Sequence, residues 1–150
     1  MTRSNRMKVV HNYAQTKETE AATMASSSRN AFEQQKDRLS QLHDYRQEYW
    51  TKLSNTKSSH FNAASLQDYR IFISRIDQAI EQQQQVVNSA EQDHKIKQQD
   101  WMHKRTKAKA IETVVTNLEE KERKHAQKVE QKDMDEQGQK VKIRFYETEE

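Results

Sequence analysis

The chain has 150 residues, 32% of them apolar and 33% charged, with a mean hydropathy of -1.28, no cysteine, no proline and one glycine, Gly138. That balance supplies too little apolar side chain for a compact core, and the lack of cysteine excludes disulfides and thiol chemistry. The formal charge of +3 comes from 26 basic and 23 acidic residues interleaved along the chain, as on the solvated faces of a coiled coil, so nucleic acid is not the expected partner.

With so few helix breakers, the period of the apolar residues decides the fold. Met1 to Lys8 lacks the apolar stretch of a signal peptide, and no run approaches membrane-spanning length, so direct membrane insertion is not expected. A first seam then steps by three and four through Ala14, Glu18, Ala21, Ala25, Ser28, Phe32, Gln35, Leu39, Leu42, Arg46, Tyr49 and Leu53, eight of twelve apolar. Its early positions are small and its later ones large. The spacing predicts a helix over 5–54.

In the serine- and asparagine-rich stretch Ser54 to Asn62 side chains compete for backbone hydrogen bonds, and the one turn the sequence offers falls here, over 55–63. Ser65 with Asp68 resembles a capping box, and Asn62 is the competing cap, so a second helix starts near residue 64.

The second seam visits Leu66, Tyr69, Ile73, Ile76, Ile80, Gln83, Val87, Ala90, His94, Lys97, Trp101, Lys104, Ala108, Ile111, Val115, Leu118, Glu122, His125, Val129 and Lys132. Thirteen of these twenty are apolar where about six would be expected by chance at this composition, and a seam sustained over so many heptads signals a left-handed coiled coil. Helix two is predicted over 64–136. Gly138 marks a stop, and 137–150 is expected to be a disordered tail.

The architecture that follows is all-α: a two-helix antiparallel coiled-coil hairpin, one domain over 1–150, with the C-terminal helix the longer. At about 1.5 Å per residue the helices span roughly 75 Å and roughly 110 Å. If the turn centres near residue 59 or 60, facing positions sum to about 119. Gln35 then meets Gln83 as a buried amide pair that fixes register. Trp101 falls opposite Glu18, near the small residues Ala14 and Ala21, and helix two lacks a partner beyond about residue 118.

No catalytic constellation emerges. The histidines at 11, 43, 60, 94, 103 and 125 have no metal-ligand spacing, one glycine cannot build a phosphate loop, and two helices form no concave pocket around the carboxylates. His94 and His125 read as polar breaks in the seam. Lys95, Lys97, Lys104, Arg105, Lys107 and Lys109 form the densest basic stretch, suited to an acidic protein surface or phosphates. No enzyme activity, metal or cofactor is expected.

An aromatic row flanks the seam at heptad g positions. Arg38 and Tyr45 beside the first helix face Ala79 and Phe72 beside the second, bordered by Tyr49 and Ile76, and exposed rings in such a row make a protein-binding patch. A slightly wider seam that shelters the same rings is the alternative.

The stretch Leu42-His43-Asp44-Tyr45-Arg46-Gln47-Glu48-Tyr49, the single turn, and Leu66-Gln67-Asp68-Tyr69-Arg70-Ile71-Phe72-Ile73 with Ile76, Ala79 and Ile80 resemble the flagellar export protein FliJ family, as does Gln131-Lys132-Asp133-Met134-Asp135-Glu136 at the end of helix two. The resemblance implies a non-enzymatic stalk of the flagellar type III export apparatus, similar to the central stalk of rotary ATPases and monomeric when free. Such a protein inserts its terminal helices into the hexameric flagellar export ATPase, promotes ring assembly, connects the ring to the export gate membrane protein and binds export chaperones. It would be cytoplasmic and peripheral at the flagellar base, serving flagellum biogenesis and motility. The family's gate-contact patch falls on Arg38, Leu42, Tyr45, Tyr49, Phe72, Ile76, Ala79 and Gln83. The same implication puts the ATPase contacts near Ala14, Ala21, Met24, Lys121, Val129 and Met134. The competing class is a self-associating structural coiled coil with no ATPase partner.

Overall fold

In a computed structural model that describes residues 1–55 and 63–149, the chain forms two helices, α1 (Arg3–Asn55) and α2 (Ala63–Thr148), which pack antiparallel. The fold class is the expected one: all-α, with the second helix the longer. Most of the expected turn, including the competing cap Asn62, lies outside the described residues. Helix α1 opens on Thr2, whose hydroxyl accepts from the Asn5 amide at 3.3 Å while its carbonyl accepts from the Arg6 amide at 3.2 Å, the usual satisfaction of first-turn donors. Ser65 and Asp68 do not cap α2; both lie inside it, because the helix already begins at Ala63.

The seams appear over most of their predicted length, with Leu66, His125, Val129 and Lys132 exposed instead. Every predicted position from Ala14 to Leu53 is buried or half-buried, and so is every one from Tyr69 to Glu122. The first seam also extends outward through His11, Met7 and Ser4, in the same alternation of three and four. No side chain among the described residues is fully enclosed, since two helices can cover only one stripe of each other.

Contacts divide the chain into two compact units: a central unit, 19–103, and a terminal unit made of 1–18 with 104–150. In the central unit the core is Ala21, Ala25, Ile73, Ile76 and Val87, with buried Ser28. The Gln83 amide donates to the Gln35 side-chain oxygen at 2.8 Å and to its backbone carbonyl at 3.0 Å, so the register pair is in place. Ser28, however, meets His94 rather than residue 91, as a constant sum of 119 would require. The Ser28 hydroxyl donates to the Ala25 carbonyl at 2.8 Å, so the proton in its 3.2 Å contact with His94 Nδ1 belongs to the imidazole. Stacked on Phe32, with ring centroids 6.3 Å apart, His94 forms a polar layer of the seam with Ser28. Trp101 shares a shallow cavity with Ala22, Ala25, Ser26 and Arg29, and the alanines and the serine leave room for its indole.

In the terminal unit the core shrinks to Ala14, Ala108 and Val115 with buried Ser4. Here a carboxylate does what apolar area cannot. Glu122 accepts from the Ser4 amide at 3.0 Å and from the Ser4 hydroxyl, supplying from α2 the negative charge that the first turn of α1 lacks. Lys8 reaches Glu119 at 2.7 Å. The expectation that α2 has no partner beyond about 118 is therefore corrected to 122: the first seam continues to Ser4, four residues from the chain's start. His11 Nε2 is buried with no hydrogen-bond partner among the described residues.

Beyond Glu122 every described residue is exposed. The helix does not stop at 136, and no disordered tail begins at 137; α2 passes through Gly138 to Thr148. An isolated interior glycine costs only about 1 kcal/mol relative to alanine, and the lysines, glutamines and glutamates around it are good helix formers.

Candidate functional site: an aromatic cluster on the central unit

Four rings gather in the central unit. Tyr45 and Tyr49 stand one turn apart on α1, so i,i+4 geometry alone brings them together, in edge contact with centroids 4.9 Å apart. Phe72 of α2 closes the group, 4.5 Å from Tyr49 and 6.1 Å from Tyr45. Tyr69, a seam residue the sequence reading left out of the patch, adds a fourth ring 6.3 Å from Tyr49. Lys52 lies over the outer face of Tyr49, its ammonium 5.4 Å from the ring centre.

The cluster is partly sheltered and partly presented. Ile76 is buried beneath it, Tyr49, Tyr69 and Phe72 are half-buried, and Tyr45 keeps 43% of its surface in water. The Tyr45 hydroxyl donates to that of Tyr49 at 3.3 Å, and this bond, with some burial and the nearby Tyr49 and Glu48, raises the Tyr45 phenol above its ordinary value. The phenol thus remains a neutral donor at physiological pH. Arg46, a seam residue, pairs across the helices with Asp77, and the carboxylate holds its guanidinium protonated even more firmly than usual. Trp50 and Ile71 are also largely exposed, so the apolar surface at this end exceeds the row picked out from the sequence.

Of the expected gate-contact residues, Leu42, Tyr49, Phe72 and Ala79 are half-buried, Arg38 and Tyr45 are exposed, and Ile76 packs in the core. Gln83 is occupied with Gln35. The rings widen the seam, and Tyr45 leaves its edge in water.

Of the expected ATPase contacts, Ala14 and Ala21 are buried while Met24, Lys121, Val129 and Met134 are exposed. Ala14 forms part of a groove of about 580 Å³ in the terminal unit, with Val10, Tyr13, Lys17, Lys104, Lys107 and Ile111 around it. Lys95 and Lys97 pair along α2 with Glu91 and Asp93, so part of the basic stretch is a self-neutralised helix face. Among the described residues no group of three or more His, Asp or Glu side chains is arranged to hold a metal, and no helix is long and apolar enough to cross a membrane.

The model of the family described as Flagellar FliJ protein matches residues 3–144. The chain belongs to the FliJ family. FliJ membership makes it a component of the flagellar export apparatus, in agreement with the resemblance seen in the stretches around Tyr45 and Phe72. No curated protein and no solved structure matches the chain.

Proposed function

We propose that this FliJ-family chain is a non-enzymatic stalk and escort of the flagellar type III export apparatus. It enters the ring of the hexameric export ATPase with its terminal helices, promotes assembly of that ring, docks on the cytoplasmic domain of the export gate membrane protein through the aromatic cluster, and binds export chaperones. Its place is the cytoplasm at the flagellar base.

The observation that carries the reading is the family match over 3–144 together with an aromatic cluster that both helices build and leave open to water at Tyr45. Tyrosine and phenylalanine rings held by packing bury large area at little entropic cost, which is what a docking surface needs. Entry into the ring is supported by the terminal unit, where every described residue of 123–149 is exposed, Val129 and Met134 among them.

Stimulation of ATP hydrolysis by the export ATPase tests the ring contact. The chain should stimulate it, and deletion of residues 119–150 should abolish the effect while the central unit stays helical; undiminished stimulation by the truncated chain would refute the assignment.

A further inference from the structure

The last stretch of α2 carries a second apolar stripe, out of register with the seam. Met134, Gly138, Val141 and Phe145 recur at four, three and four residues, so they share one face of the helix. Met134, Val141 and Phe145 are each more than 60% exposed, and a Cβ built on Gly138 would meet nothing within 4 Å. A glycine in a helix interior costs stability unless something approaches it closely, and nothing in this chain does.

We propose that this face pairs with the same face of a second copy of the chain, antiparallel, as a short two-helix interface. The stripe is complementary to itself in that direction alone. With the copies running opposite ways, Met134 of one lies against Phe145 of the other and Gly138 against Val141, so each large or branched side chain meets a slimmer or smaller one, and the two-fold axis repeats both layers. The flanks agree. Asp135 then stands beside Lys142 of the second copy, twice, and Gln137 beside Arg144, with no like charges in contact. A parallel pair would instead stack glycine on glycine, leaving a void, and would set Glu130 against Asp135.

The face spans about a dozen residues, roughly 18 Å of helix, well below the extent of a standard interface of roughly 1,600 Å². The pairing is accordingly weak and reversible, and its charged flanks make it weaken with salt. It replaces, at high concentration, the monomer expected from the sequence, and because it covers Met134 it competes with the entry of this stretch into the ring.

Sedimentation equilibrium of the full chain over a hundredfold concentration range tests it. The mean mass should climb from the 17.9 kDa of one chain toward twice that value. Phe145→Asp should weaken association by about tenfold or more. Asp135→Lys, which faces Lys142 with a like charge, should weaken it too, and Asp135→Lys combined with Lys142→Asp should restore it, with circular dichroism unchanged throughout. A mass that stays at one chain at every concentration overturns the proposal and leaves the stripe to a different protein. Association that survives both single substitutions, or that the double exchange fails to restore, overturns it equally.

Discussion

The central and terminal units are cut from the same heptad repeat but hold their helices together by different means. Around Tyr49 and Ile76 the seam is wide, with four rings and two isoleucines, and apolar area supplies the binding. In the terminal unit the seam narrows to Ala14, Ala108 and Val115, and much of the fastening falls to polar contacts, Glu122 with Ser4 and Glu119 with Lys8. A coiled coil can thus keep one period while trading area for hydrogen bonds. The contrast implies that the two units respond to different insults: the central one to lost side-chain volume, the terminal one to pH.

The sharpest break is expected from Ile76→Ala. Truncating a buried isoleucine removes transfer energy and leaves a gap, so the central unit should lose about 2–4 kcal/mol in urea denaturation followed by circular dichroism. A loss no larger than that of an exposed substitution would mean the central unit does not rest on its apolar seam. In the opposite direction, His11→Leu should stabilise the terminal unit by about 1 kcal/mol, because the buried Nε2 loses solvent and gains no bond in return. Destabilisation by His11→Leu would show that the imidazole has a partner the packing does not reveal.

The smallest effect concerns acid. Glu122 has its carboxyl held below the usual carboxylate range, first by the hydroxyl and then by the amide of Ser4. A carboxylate depressed on folding contributes stability at and above its ordinary pKa and loses that contribution as pH falls through the depressed value. Amide hydrogen exchange at residues 4–8, expressed relative to its intrinsic rate at each pH, should therefore rise as the solution is acidified through and below the ordinary carboxylate range. In Glu122→Gln it should already be raised at neutral pH and should respond less to acid. Equal profiles for the two chains would remove the clamp from the account.

Much of this fold is legible in the sequence, because a period of three and four over fifty residues leaves a helix pair few alternatives. Leu39, Ile73 and Val87 announce the seam, and the amide pair Gln35–Gln83 can be placed from the turn outward. Ser4, Met7 and His11 continue the same steps, but two of the three are polar, so by apolar spacing the first seam ends at Ala14. Glu122 was legible as a break in an apolar row and not as a cap, since its partner lies 118 residues away. The aromatic row was found by assigning g positions to Tyr45 and Phe72. Tyr69 is not legible as part of the row because it sits in the seam itself, where a ring counts as core. The end of α2 is not legible at Gly138, because one interior glycine is outweighed by the helix formers on both sides of it.

The account turns most directly on whether the cluster of Tyr45, Tyr49 and Phe72 is a docking surface as well as packing. Isothermal titration of the chain with the cytoplasmic domain of the export gate protein measures this, comparing the natural sequence with the Tyr45→Ala, Phe72→Ala double variant. At unchanged helicity the account predicts binding weakened by roughly tenfold or more, as for the loss of anchor residues from an interface. Equal affinity at equal helicity would contradict it and leave the rings to the seam alone.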